Sequence, residues 1–225
     1  MIVLVCLESP RPSQASLAAL RLACAMGERV QVIVISAGGE TRNESCEMAS
    51  RTERVRRVVH LRDQALDETD FLSMGRVLAE AARHLEARVI LLGEHSDDEG
   101  EGLVPAALAH HWNAPLLACV REVQAPSGDE APWEVTVRAS GSLCKVRSTP
   151  PLVLAVPAAF AWATAQGTGG KQGLCEVETL SLAQLGIDAS DLVPRPDLLG
   201  AFVALKGERV ENKSFDEAAQ LILRR

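Results

Sequence analysis

Ten residues, Gly93-Glu94-His95-Ser96-Asp97-Asp98-Glu99-Gly100-Glu101-Gly102, place three glycines and five carboxylates between an apolar run and a helical pattern. Such a step needs only about two to six residues, so the stretch is longer than the connection requires. Its glycines let backbone N–H groups approach a phosphate, and a helix opening at Leu103-Val104 would present partial positive charge there. The carboxylates oppose an anion, but they suit ribose hydroxyls or a helix start. Two readings therefore fit: a nucleotide-binding loop, or a solvated acidic loop at a helix N-terminus. Neither a complete Gly-x-Gly-x-x-Gly nor a Walker lysine is present. Two more segments, Cys6-Leu7-Glu8 and Ser36-Ala37-Gly38-Gly39, follow strand-like runs. In an open α/β sheet, ligands sit outside the carboxyl ends of the strands, where strand order reverses.

Other reactive groups lack partners. His110 and His111 adjoin on a helical pattern and point in different directions, so they do not share a metal. His60 and His84 have no nucleophile or acid nearby in sequence, and Ser140-Gly141-Ser142 lacks the Gly-x-Ser-x-Gly elbow. The arginines at 51, 54, 56, 57 and 62 alternate with valines and read as a solvated face. Cysteines at 6, 24, 46, 119, 144 and 175 form no Cys-x-x-Cys and no zinc spacing, and read as structural thiols in a reducing compartment. A nucleotide-type pocket without a nucleophile and base suggests a carrier or binding subunit rather than an enzyme.

The elements that must position these groups follow from periodicity. Ile2–Leu7 is a continuous apolar run too short for a helix, hence a buried strand. Ser13 caps a helix with an apolar face from Leu17 to Met26, and Gly27 stops it. Strands are expected at Val30–Ile35, Val55–Leu61, Val89–Leu92 and Leu116–Val123, with helices at Asn43–Arg54, Asp70–Leu85 and Leu103–Trp112. The Asp70–Leu85 helix should bury Phe71, Leu72, Val77, Leu78, Ala81, Ala82 and Leu85. Strands alternating with helices imply right-handed βαβ units: an open, doubly wound, mostly parallel sheet with helices on both faces. Trp133–Ala139 alternates with period two and turns at Ser140-Gly141-Ser142 into a hairpin partner at Leu143–Arg147; Leu152–Val156 returns to the main sheet. Leu180–Leu185 and Phe215–Leu223 read as short helices. Residues 1–157, hairpin 133–148 included, form the α/β domain, and 158–225 an extended C-terminal arm that packs on it or on a partner.

The composition excludes several classes. The 225 residues are 47% hydrophobic with no short repeat, which argues against collagen-like, coiled-coil or disordered chains. Thirty acidic against 23 basic residues, with only 3% aromatics, disfavour a nucleic-acid reader. The N-terminal Met-Ile-Val-Leu-Val-Cys-Leu run is too short to span a bilayer and has no basic lead, so a soluble cytoplasmic protein without membrane insertion is expected.

The order of segments resembles the beta subunit of electron transfer flavoproteins over residues 2 to about 223. Val89-Ile90-Leu91-Leu92-Gly93, Asp97-Asp98, Leu108-Ala109 and Ala114-Pro115 match that family's strand ending in Gly, acidic loop, and helix stopping before Pro. Val3-Leu4-Val5, residues 32–38, Val137-Arg138, Leu152-Val153 after Pro151, and Leu185-Gly186-Ile187-Asp188 extend the match. The resemblance implies an adenine-nucleotide alpha-hydrolase-like sheet, with AMP against Cys6, Ala37, Gly38 and the Gly93–Val104 stretch, and a further contact at Arg138. Within that stretch it implicates Gly93, Glu94, His95, Ser96, Asp97, Asp98, Gly100, Gly102, Leu103 and Val104. It also implies an FAD held mainly by a separate alpha-type subunit, and a loop near Thr164–Glu176 that recognises flavin dehydrogenases.

The chain departs from the family pattern at several contacts. Glu8-Ser9 stands where a Lys-Arg pair is usual, and the Asn-Pro segment after the first strand is largely absent. Leu103-Val104-Pro105 replaces a Gln-Thr-Gly triplet, Ala139 replaces an acidic residue, and the recognition loop is Gly-rich without a Leu-Pro anchor. Each lost polar contact is worth roughly 1 kcal/mol net. The sequence thus supports an electron-transfer beta-type subunit. Two alternatives stand beside it: a universal-stress-type nucleotide-binding regulatory module, and a structural partner subunit that has lost its nucleotide.

Overall fold

The computed structural model describes residues 1–95, 102–128, 131–158 and 175–193. Its framework is a seven-stranded sheet in which all neighbouring strands run parallel. The strands are β1 (Ile2–Leu7), β2 (Gln31–Gly38), β3 (Val55–Arg62), β4 (Val89–Gly93), β5 (Leu116–Leu117), β9 (Leu152–Val156) and β10 (Val177–Leu180), in the order β10-β3-β2-β1-β4-β9-β5. A small antiparallel sheet joins β6 (Val120–Gln124), β7 (Trp133–Ala139) and β8 (Ser142–Ser148). The doubly wound α/β architecture expected from the sequence is therefore present.

Alternation along each strand divides the core between two faces. Val3, Val5 and Leu7 of β1 join one cluster with α1 (Gln14–Cys24), α2 (Glu44–Ser50) and the buried Trp133, Val135 and Val137 of β7. Leu4 and Cys6 join the opposite cluster with α3 (Phe71–His84) and α4 (Leu103–Trp112). Parallel strands buried on both faces must be apolar throughout, which is why β1, β4 and β9 read as unbroken hydrophobic runs. Helix starts match their caps. The Ser13, Asn43 and Asp70 side chains accept the backbone N–H of Ser16, Cys46 and Ser73, which satisfies donors the helix itself leaves open.

Several sequence expectations need correction. The single strand expected over Leu116–Val123 is two strands in different sheets, separated at Cys119, whose φ of 54° breaks the extended path. Helix α2 ends at Ser50 rather than Arg54, because Thr52 turns back to bond Met48 and the chain enters β3 at Val55. Phe71 and Leu72 are 37% and 49% exposed, since they occupy the first turn of α3, beyond the sheet's carboxyl edge. β10 was not anticipated; it adds to the outer side of β3, where Glu178 pairs with Arg57 at 2.6 Å, and Leu182–Leu185 is a 3-10 turn. The Phe215–Leu223 helix lies outside the described residues.

Helices α3 and α4 pack closely at Gly75, where a Cβ would lie 2.5 Å from the Ala107 Cβ. The hairpin turns through Ser140 and Gly141, both with positive φ, the backbone that a two-residue type I′ turn requires.

Candidate functional site

Strand order reverses between β1 and β4: the chain winds outward from β1 to β2 and β3, then crosses back to the other side of β1. That crevice at the carboxyl ends is where an open parallel sheet binds ligands. A cavity of about 300 Å³ opens there. Its walls come from the end of β1 (Cys6, Leu7, Glu8, Ser9), the first turn of α1 (Ser16), the end of β2 (Ala37, Glu40), the turn after β3 (Leu66, Asp67, Thr69), α3 (Phe71, Met74, Leu78), and the β4–α4 junction. The junction contributes Leu92, Gly93, Glu94, Gly102, Leu103, Val104 and Pro105.

Seven of the site residues expected from the sequence line this cavity: Cys6, Ala37, Gly93, Glu94, Gly102, Leu103 and Val104. Gly38 sits beside it, packed so that a Cβ would lie 2.5 Å from the Ser9 hydroxyl. His95 is exposed next to Gly102, whose own Cβ would meet the His95 ring at 2.8 Å. Arg138 is exposed on β7; its N–H donates to the Cys119 carbonyl at 3.0 Å, and it is not among the lining residues. Ser96, Asp97, Asp98 and Gly100 lie outside the described residues.

Sequence reasoning did not single out Ser9, Ser16, Glu40, Asp67, Phe71 or Met74. Glu40 directly follows the Gly38-Gly39 pair, so extending the strand-end rule by two residues would have found it. Asp67 comes from the turn after β3, outside the three strand ends that the sequence points to.

The side chains of this rim are held in place. Both Glu8 carboxylate oxygens are engaged by Ser13: Oε2 accepts its N–H at 3.0 Å and Oε1 its hydroxyl at 2.9 Å. The Ser9 hydroxyl donates to Glu40 Oε2 at 2.9 Å and accepts from the buried Asn43 amide at 2.9 Å. Asn43 also donates to the Ser36 hydroxyl at 3.0 Å, and Ser36 and Ser45 both donate to the Glu8 carbonyl. Asp67 Oδ1 accepts the Gly39 N–H at 2.6 Å. The Cys119 thiol donates to Glu94 Oε1 at 3.2 Å, and this bond is the main reason the thiol titrates above its ordinary range. Glu8 and Ser9 thus hold the α1 cap residue in place and tie β1 to β2 and α2.

The chemistry available is that of binding. Burial, with the neighbouring Glu8 charge, raises the Cys6 thiol far above its usual range, so it lines the cavity as a neutral thiol and not as a nucleophile. Among the described residues no group of three His, Cys, Asp or Glu side chains is placed to hold a metal. The volume lies at the lower end of small-molecule sites, which run about 300–1,000 Å³, and suits a nucleoside rather than a dinucleotide. A phosphate fits less well, because the described lining residues include Glu8, Glu40, Asp67 and Glu94 and no Lys, Arg or His.

Comparison with known proteins identifies the chain's relatives. The model of the electron transfer flavoprotein domain family matches residues 3–185. The electron transfer flavoprotein subunit beta of Methylophilus methylotrophus is 26% identical over 167 residues, covering 72% of this chain and 62% of that protein. The subunit of the same name from Mycobacterium leprae is 29% identical over 103 residues, 45% of this chain and 38% of its own length. That from Mycobacterium tuberculosis is 31% identical over 98 residues, 43% and 36% respectively. The chain thus spans less than two thirds of the length of these curated relatives.

Proposed function

The chain belongs to the electron transfer flavoprotein family, beta-subunit type, and from that premise we propose that it pairs with an FAD-carrying alpha-type subunit and relays electrons from flavin dehydrogenases. The observation that carries this reading is the family match across residues 3–185, which takes in nine of the ten strands in full and most of β1. Electron relay needs no acid or base from this chain, so the reading asks of the switch-point cavity only that it bind.

The cavity is too small for FAD, so the proposal places the flavin on the alpha-type chain, where it supplies reversible electron transfer when bound. This chain would then close one side of the flavin site and hold the partner surface. Docking of the dehydrogenase is proposed near Thr164–Glu176. Cys175, at the far end of that segment, is fixed by its N–H to the Ser50 carbonyl at 3.1 Å. No helix among the described residues is long and apolar enough to cross a membrane, and the proposed site of work is the cytoplasm.

Co-expression with an alpha-type chain from the same genome tests the reading. The expected product is a yellow heterodimer whose flavin absorbance co-elutes with both chains. A colourless chain that elutes alone from the co-expression would refute it.

A further inference from the structure

We propose that the switch-point cavity excludes nucleotide phosphate by charge and takes an uncharged or cationic ligand of nucleoside size. The family pattern implies an AMP here, and the residues present do not fit its phosphate. In an open parallel sheet, a phosphate is held by the N-terminal turn of a helix that follows a central strand. For β1 that helix is α1, and its N-terminus already carries an anion of its own. The Glu8 carboxylate accepts the Ser13 N–H and hydroxyl at 3.0 and 2.9 Å, while the Ser13 oxygen takes the Ser16 N–H at 3.1 Å. The end of β4 presses on the same turn, since a Cβ on Gly93 would lie 2.9 Å from the Ser16 nitrogen. No opening is left there for a second anion.

The other candidate seat, the start of α4, is weakened in a different way. Pro105 in its first turn has no N–H to offer, and Glu94 lines the same cavity. Glu40 and Asp67 complete the rim, each fixed by a donor from the β1–α1 segment or the end of β2. A phosphate entering this ring meets four placed carboxylates and, among the described lining residues, no cation, so repulsion dominates there.

The cavity also offers neutral hydrogen-bonding groups: Ser16, 1% exposed, lines it with a hydroxyl, and Cys6, 6% exposed, with a neutral thiol. The remaining wall, with Leu66, Leu78, Leu92 and Val104, is aliphatic. Such a surface suits the face of an uncharged heterocycle, with a hydroxyl or amine directed at the carboxylate rim.

Calorimetric titration of the full chain with adenosine and with AMP tests this, and it is independent of electron relay, because a flavin-loaded heterodimer can form whether or not AMP is rejected. Adenosine is expected to bind, with AMP weaker by at least about tenfold. In the variant Glu8→Gln/Glu40→Gln/Asp67→Asn/Glu94→Gln the two affinities should converge. If that variant does not fold by circular dichroism, Glu40→Gln and Glu94→Gln are measured singly, and each should narrow the gap. AMP binding as tightly as adenosine to the unaltered chain overturns the proposal. So does failure of the unaltered chain to bind adenosine, or discrimination that persists unchanged in the folded variants.

Discussion

The Cys119 thiol donates a hydrogen bond to the Glu94 carboxylate at 3.2 Å, joining the link between the two sheets to the end of β4. Glu94 lines the cavity and Cys119 is the residue at which one apolar run divides between sheets, so a movement of either is felt by the other. The bond and the carboxylate charge together hold the thiol above its ordinary titration range, against the pull of Arg121 and Arg138. Glu94→Gln should therefore lower the Cys119 pKa and raise its thiolate fraction at a given pH. Site-resolved alkylation followed by mass spectrometry across pH 7–9 reads this directly; an unchanged Cys119 profile would mean that the bond has no electrostatic weight.

Ser13 both caps α1 and holds Glu8, so Ser13→Ala removes an acceptor for the Ser16 N–H and a donor to the carboxylate. Loss of such a cap costs about 0.5–2 kcal/mol. Glu8→Gln keeps the side chain's size but loses the charge at the helix start, worth about 0.3–1 kcal/mol, and turns one of the two oxygens that accept from Ser13 into an amide donor, a lost bond worth about 0.5–1.5 kcal/mol more. Urea unfolding should show both variants destabilised to a comparable degree; a Glu8→Gln midpoint equal to that of the unaltered chain would mean that the carboxylate does not hold the helix start.

Gly75→Ala tests the close packing of α3 on α4. In an exposed helix interior this change stabilises by about 1 kcal/mol through propensity. Here the new Cβ would lie 2.5 Å from the Ala107 Cβ and 2.7 Å from backbone atoms of Ala107 and Leu108. Overpacking of this kind typically costs about 1–3 kcal/mol, so the sign is expected to reverse. A melting temperature at or above that of the unaltered chain would show that the helices separate without penalty.

His60 introduces a pH dependence. It is 5% exposed on β3, and burial is the main cause that lowers its pKa, with the Arg62 charge adding to it. A hydrogen bond to the Gly38 backbone and the Glu40 charge push the other way. Its Nε2 has no hydrogen-bond partner, so protonation would bury an unpaired charged donor. A histidine whose folded pKa is depressed contributes stability that is complete above its unfolded pKa and declines as pH falls through the folded value. Thermal melts between pH 8 and 5 should show this loss, and it should shrink in His60→Leu.

Much of the fold was legible because the burial requirement acts locally. Unbroken apolar runs marked β1, β4 and β9; the Ser13 and Asp70 caps marked two helix starts; period-two alternation marked β7. What escaped depends on distant residues or a single dihedral angle. Val177-Glu178-Thr179-Leu180 has only two apolar side chains, and only its pairing with β3 makes it a strand. Nothing in the local sequence signals a left-handed conformation at Cys119, a residue type that rarely adopts one. At the cavity, the strand-end rule located Cys6, Ala37 and Gly93, while the ring formed by Glu40 and Asp67 required the topology to bring the ends of β2 and β3 together.

The outermost strand carries a consequence for how the protein is made. Arg57 and Glu178, which clip β10 to β3, are 121 residues apart in sequence, so the edge of β3 stays uncovered while most of the chain is still being synthesised. An uncovered strand edge is a template for pairing with another chain. On the ribosome, where amino-terminal segments fold first, the arginines at 56, 57 and 62 place positive charge along that waiting strand and so discourage premature pairing between nascent copies. A chain released before residue 177 would keep β3 as a permanent edge, and clearance or aggregation of such fragments would fall to the cell's quality-control machinery.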